Sequence, residues 1–183
     1  MVANAAPVRV AEFAAGRACA RAALQALDIA DFELLNGKDR APLWPAGIAG
    51  SISHTTGFCG AVAARDTQVL ALGLDAEVRR RVQPQLWRRI CTAEECHWLA
   101  QLSADQAAEH ATVIFSAKEA FYKAQYPLTR QWLNFTDVSL LVEGSRFRVQ
   151  AQGPLALAGL RPGPWWGSLL LDGTHVITLV RLD

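Results

Sequence analysis

The chain has 183 residues, of which 51% are hydrophobic and 19% charged, with a formal net charge of +1. That apolar content excludes a disordered chain, and the length admits one substantial core or two small fused ones. A charge so near zero supplies no global field for nucleic acid, so attraction to a charged partner must come from local patches such as Arg79-Arg80-Arg81 and Arg88-Arg89.

Taken in chain order, the apolar positions Phe13, Ala14, Ala18, Ala22 and Leu24 predict a helix from Val10 to about Leu27, with Arg17 and Arg21 four apart on one side. Acids at Glu12, Asp28, Asp31 and Glu33 interrupt this alanine-rich stretch, which reads as mature protein rather than a transit peptide. Asn36-Gly37-Lys38-Asp39 forms a turn, and Pro42 and Pro45 bracket Trp44 in an ordered loop. Ile48 to Ser53, Phe58 to Ala64 and Val69 to Glu77 then predict three short strands in a small meander.

Thr92 with Glu95, and Ser103 with Gln106, fit capping boxes and predict two helix starts. The second helix carries Lys118, Glu119 and Lys123 beside an apolar stripe through Ala108, Ala111, Phe115 and Tyr122. Two hairpins follow, Val138 to Val142 with Phe147 to Ala151, and Trp166 to Leu171 with Val176 to Val180. The order of elements predicts a mixed α/β (α+β) architecture of two pseudo-symmetric halves, each a small antiparallel sheet packed with helices. The halves are expected at 1–72 and 73–183.

Cys19, Cys59, Cys91 and Cys96 show no CxxC spacing, and no secretory core or membrane-length apolar run is present, so a cytoplasmic protein with no membrane partner is expected. Cys91, Cys96 and His97 are poor zinc candidates, because five residues along a helix separates the two thiols onto different faces.

Asp75 and Glu77 end an apolar run, so on a strand both carboxylates leave one face, where they repel unless a cation lies between them. Glu119 and Lys123 are one helical turn apart and can serve one site. Three oxygen acids with lysines point to a magnesium-phosphate site.

Gly50-Ser51-Ile52-Ser53-His54-Thr55, Gly73-Leu74-Asp75-Ala76-Glu77 and Phe115-Ser116-Ala117-Lys118-Glu119-Ala120-Phe121-Tyr122-Lys123-Ala124 closely resemble, in the same order, the three signatures of 4'-phosphopantetheinyl transferases. Gly16 to Arg21 and the loop Arg40 to Pro45 look like the enterobactin-synthase type within that family. The resemblance implies a holo-carrier-protein synthase. Such an enzyme transfers the phosphopantetheine arm of coenzyme A to a serine of an acyl- or peptidyl-carrier protein and releases adenosine 3',5'-bisphosphate.

It further implies that Asp75, Glu77 and Glu119 hold Mg2+ and that Glu119 accepts the serine proton, directly or by way of a water on the metal. Lys123 would support the transferring or leaving phosphate, and His54 and Ser53 would contact a ligand phosphate. Arg17, Arg21, Arg40 and Lys118 are candidates for the coenzyme A phosphates, although Lys118 has two alternatives, orientation of Glu119 or a place on the protein face, and Arg17 and Arg21 a solvated face shared with Glu12. Because 74 residues precede Asp75, the N-terminal half is expected to be abbreviated on the adenine and 3'-phosphate side. The expected partner is a carrier of a siderophore or other natural-product synthase, met by a monomer. Two other readings are open: a catalytically silent module that binds coenzyme A or a carrier, and a magnesium phosphoesterase acting on a nucleotide.

Overall fold

Residues 7–153, 157, 160–161 and 163–183 are described by a computed structural model. Helix α1 (Pro7–Gln25) realises the first helical stretch. Its end is a left-handed turn at Asp28 (φ 61°), where the Ile29 amide reaches back 3.0 Å to the Leu24 carbonyl and satisfies an acceptor that the helix leaves open. An irregular segment through the turn at residues 37–40 leads into strands β1 (Ile48–Thr55) and β2 (Phe58–Arg65), an antiparallel hairpin.

Strand β3 (Ala71–Val78) corrects the expected meander. It does not pair with β2 but enters a five-stranded antiparallel sheet in the order β3-β7-β6-β5-β4. The other members are β4 (Val138–Glu143), β5 (Arg146–Ala151), β6 (Trp165–Leu171) and β7 (His175–Leu182), which confirm the two sequence-predicted hairpins. The physical reason lies in register: β3 pairs along its whole length with β7, from Ala71 opposite Leu182 to Val78 opposite His175. Since β3 begins at Ala71, the expected division at residue 72 falls inside a strand of the C-terminal sheet.

On its other edge β3 meets β1 without a backbone ladder. The hydroxyl of Ser51 accepts from the Leu74 amide at 2.9 Å and that of Ser53 from the Ala76 amide at 3.1 Å. Two serines at alternate positions of β1 therefore satisfy amides that an edge strand would otherwise expose. This seam joins the hairpin unit to the larger sheet.

Between β3 and β4 lie the short helices α2 (Trp87–Ile90) and α3 (Ala93–Leu99), followed by the long α4 (Ala104–Thr129). Both expected capping boxes are present, Thr92 with Glu95 on α3 and Ser103 with Gln106 on α4. Pro127 lies within α4, and Arg130 closes it in the left-handed conformation (φ 56°). The main core is formed where Ala117, Ala120, Phe121 and Ala124 of α4 face Phe147, Val149, Val176 and Val180 of the sheet. A smaller cluster of Val82, Ile90, Leu99, Ala111 and Ile114 packs around α2, α3 and the first half of α4. Small residues on the α4 face set how near the helix comes to β3, and that distance builds the site.

Candidate active site

Alternation along β3 places Gly73, Asp75 and Glu77 on one face. A Cβ built on Gly73 would stand 1.8 Å from the Ala120 carbonyl oxygen, so helix and strand touch backbone to backbone here. Asp75 and Glu77 are consequently buried, and Lys123 of α4 enters from the helix side. The Lys123 ammonium donates to Asp75 Oδ1 at 2.7 Å, to the Leu74 carbonyl at 3.1 Å and to Ser53 Oγ at 3.2 Å. Ser53 in turn donates to Asp75 Oδ1 at 3.2 Å. Arg81, four residues beyond Glu77, donates from Nη1 to Glu77 Oε2 at 2.6 Å.

The cluster is short of positive charge. Burial, reinforced by the neighbouring Asp75 charge, raises Glu77 above the ordinary carboxylate range despite Arg81 and Lys123. Burial and the Asp75 charge raise Glu119 too, with Lys123 as the opposing influence and Glu77 adding further repulsion. Asp75 Oδ2 is buried with no hydrogen-bond donor. Among the described residues no three His, Cys, Asp or Glu side chains form a finished metal cage. The donor set nevertheless fits a hard divalent cation: the ligands are oxygens only, the carboxylates repel one another, and one buried oxygen lacks a partner.

The other sequence candidates divide into two groups. His54 follows Ser53 on β1 and points to the opposite side, where its Nδ1 lies 3.9 Å from Glu12 Oε2 of α1. It therefore stands apart from the acids, on the exposed side shared with α1. Arg17 donates to Asn36 Oδ1, its guanidinium covers the Phe13 ring at 4.4 Å, and burial lowers its pKa. That bond ties α1 to Asn36, the residue before the 37–40 turn, in which Arg40 adopts a left-handed conformation (φ 66°) and is exposed. Arg21 is exposed on α1. Glu12 lies against His54 rather than completing a face with the two arginines.

Lys118 is the clear correction. Its side chain is 0% exposed, and its three donors go to Glu95 Oε2 at 2.7 Å, the Phe135 carbonyl at 2.8 Å and the Ile90 carbonyl at 2.9 Å. No donor remains for a coenzyme A phosphate. Burial lowers the lysine pKa and Glu95 opposes that shift. Helical geometry explains the difference: Lys118 and Glu119 are successive residues and cannot share a face.

Two participants are absent from the sequence reading. Glu95, read there only as a cap, also accepts the Leu140 amide through Oε1 at 2.7 Å and so joins α3, α4 and β4. Arg81 belongs to a run read as a surface patch; its spacing of four from Glu77 is a helical signal that carries no weight at a strand end. The same run is otherwise held by acids, with Arg79 on Glu109 at 2.5 Å and Arg80 on Glu109 at 3.7 Å. Trp44 packs over Gly50, where a Cβ would come within 2.5 Å of the indole, and lines a cavity of about 230 Å3 with Leu70, Leu72 and Pro127.

A family profile for the 4'-phosphopantetheinyl transferase superfamily matches residues 71–179, and one for the 4'-phosphopantetheinyl transferase N-terminal domain matches residues 1–64. The chain is 40% identical over 173 residues to the 4'-phosphopantetheinyl transferase Svp of Streptomyces mobaraensis, covering 94% of this chain and 68% of that protein. It is 35% identical over 144 residues to the 4'-phosphopantetheinyl transferase PptT of Mycobacterium tuberculosis, covering 78% of this chain and 63% of that one. Enterobactin synthase component D of Salmonella typhi is 34% identical over 116 residues, or 63% of this chain and 48% of that protein.

Among solved structures, the holo-[acyl-carrier-protein] synthase of Thermotoga maritima matches with a TM-score of 0.50 at 23% identity, over 63% of this chain and 64% of that one, a likeness of fold. The chain thus spans about half to two thirds of the length of the curated relatives it matches. It belongs to the 4'-phosphopantetheinyl transferase superfamily.

Proposed function

We propose that this chain transfers the 4'-phosphopantetheine group of coenzyme A to a serine of an acyl- or peptidyl-carrier protein, with release of adenosine 3',5'-bisphosphate. The observation that carries the reading is the contact of Lys123 of α4 with Asp75 of β3 at 2.7 Å, beside Glu77 and with Glu119 near enough for the Asp75 charge to raise its proton affinity, in a chain of this family. Asp75, Glu77 and Glu119 would hold Mg2+, which supplies neutralisation of the pyrophosphate charge when bound.

The remaining work falls to the chain's own groups. Phosphoryl transfer asks mainly for positioning and charge stabilisation. Lys123 is a compact cation already fixed by Ser53, the Leu74 carbonyl and Asp75, and it would face the transferring or leaving phosphate. Glu119, whose affinity for a proton is raised by burial and by Asp75, would take the proton of the attacking serine hydroxyl. Ser53 orients Asp75 and holds β3 against the hairpin. His54 on the other side of β1, with Arg17 and Arg21 of α1 and Arg40 of the 37–40 turn, would offer hydrogen-bond donors to the remaining phosphates of coenzyme A.

The similarity to enterobactin synthase component D supports a carrier of a siderophore or other natural-product synthase as the partner. A cytoplasmic setting and a monomeric state belong to the same proposal; among the described residues no helix is long and apolar enough to cross a membrane, and the four cysteines are free. Product analysis tests the reaction type. Release of adenosine 3',5'-bisphosphate that requires an apo carrier supports transfer, whereas equal release without a carrier would establish hydrolysis instead.

A further inference from the structure

Cys19 of α1 and Cys59 of β2 are 40 positions apart in sequence, yet their sulfurs are 3.8 Å from each other. The Cys19 thiol also lies 3.5 Å from the Cys59 carbonyl, so its side chain faces β2 at Cys59 itself. Both residues are partly exposed and both are free. The other two cysteines differ. Cys91 is buried, its thiol pushed up to about 12 by burial, and the Cys96 sulfur contacts the Cys91 carbonyl at 3.9 Å.

We infer that Cys19 and Cys59 form a reversible disulfide that staples helix α1 to the β1–β2 hairpin when the chain meets a low-molecular-weight disulfide. The reaction balances as thiol–disulfide exchange. The Cys19 thiolate attacks one sulfur of the oxidant and expels one thiolate, and the Cys59 thiolate then attacks the Cys19 sulfur of the mixed disulfide and expels the second. Two protein thiols are oxidised, one small disulfide is reduced to two thiols, and two protons leave the protein. Reaching an S–S bond of about 2.05 Å requires the sulfurs to approach by less than 2 Å, within the reach of a side-chain rotation.

The position of the staple gives it a consequence. Cys59 lies directly across the hairpin from His54, and α1 reaches the hairpin through Gly16, where a Cβ would stand 3.2 Å from Ile52. The same helix carries Arg17 and Arg21. Oxidation would fix the helix that bears two candidate phosphate ligands to the strand opposite a third. This consequence rests on the proposed function; the crosslink does not. In the reduced pair, burial and the neighbouring Cys19 push the Cys59 thiol up to about 11, so exchange starting from the two thiols is favoured as pH rises.

The test uses the full chain, incubated with oxidised or reduced glutathione, followed by intact mass and peptide mapping without reduction. The expected result is a mass lower by two hydrogens, a Cys19–Cys59 linked peptide, and a melting temperature raised by roughly 5–10 °C that returns to its starting value on reduction. Cys19→Ser or Cys59→Ser should abolish the rise and leave a glutathione adduct on the remaining thiol, whereas a Cys91→Ser/Cys96→Ser variant should behave as the parent. Stable glutathione adducts on both Cys19 and Cys59 of the parent, or a linked peptide that joins other cysteines, would overturn the inference. Mass and peptide map report on the crosslink whether or not the chain proves to be a transferase.

Discussion

Gly73 lies so close to the Ala120 carbonyl that an added methyl group would stand 1.8 Å from its oxygen and 2.8 Å from the Ala124 amide. Both obstacles are backbone, which cannot rotate away. Gly73→Ala must therefore push α4 from β3, with a stability loss at or above the ~3 kcal/mol upper end of ordinary overpacking. Because the same contact brings Lys123 to Asp75, binding of Mg2+ should fall with it. Chemical denaturation and calorimetric titration of Mg2+ check both effects; a variant with parental stability would remove the close contact from the account.

Glu119 is held in the folded chain at a cost, since burial and the Asp75 charge both disfavour its ionised form. The sign follows from linkage: a carboxyl whose folded pKa is raised destabilises the fold above that pKa and not below the unfolded value near 4.5. Glu119→Gln should consequently lower turnover by about 10²–10⁴-fold while leaving the melting temperature at pH 8 unchanged or higher. Near-parental turnover would refute the assigned role, and a large loss of stability would refute the electrostatic reading.

Lys118 and Glu95 form a buried pair that ties α4 to α3 and β4. Removal of one partner leaves the other charge buried, so Lys118→Met should cost about 3–5 kcal/mol. Lys118→Met with Glu95→Gln should recover part of that loss, measured as a coupling energy in a double-mutant cycle. Independent, additive losses would show that the pair is not coupled.

His175 connects the last hairpin to the first. Its ring contacts the Thr56 carbonyl through Nε2 at 2.9 Å and Asp172 Oδ2 through Nδ1 at 3.3 Å. Both contacts are satisfied together only by the protonated imidazole, and the Thr56 carbonyl first and Asp172 second raise its pKa above the ordinary 6.5. This stabilisation is complete below the ordinary value and is lost as pH rises through the raised one. Melting temperature should decline across that interval in the parent and stay flatter in His175→Gln. Identical pH profiles would show that the ring does not titrate with folding.

Local signals in the sequence were enough for the capped helices, both C-terminal hairpins and the spacing that puts Asp75 and Glu77 on one face. Capping and alternation depend on neighbours within a few residues. Partnership between distant segments was less legible. Val69 to Glu77 reads as the third strand of a meander because it follows β2, but the pairing of β3 is decided by β7, about a hundred residues away. The sequence leaves Lys118 open between a phosphate, Glu119 and the protein face for a related reason: its partners Ile90, Glu95 and Phe135 belong to three other segments. The sequence reads His54 and Ser53 as contacts of one ligand phosphate; strand alternation sends these neighbours to opposite faces, Ser53 toward Asp75 and His54 toward Glu12 of α1.

The central claim is transfer to a carrier, and the intact mass of an apo carrier domain after incubation with the full chain, coenzyme A and Mg2+ tests it most directly. The account predicts a gain of one phosphopantetheine group on the carrier serine, abolished by EDTA and by Glu119→Gln. No gain on any of a panel of acyl- and peptidyl-carrier domains, with coenzyme A still bound by the chain, would contradict it.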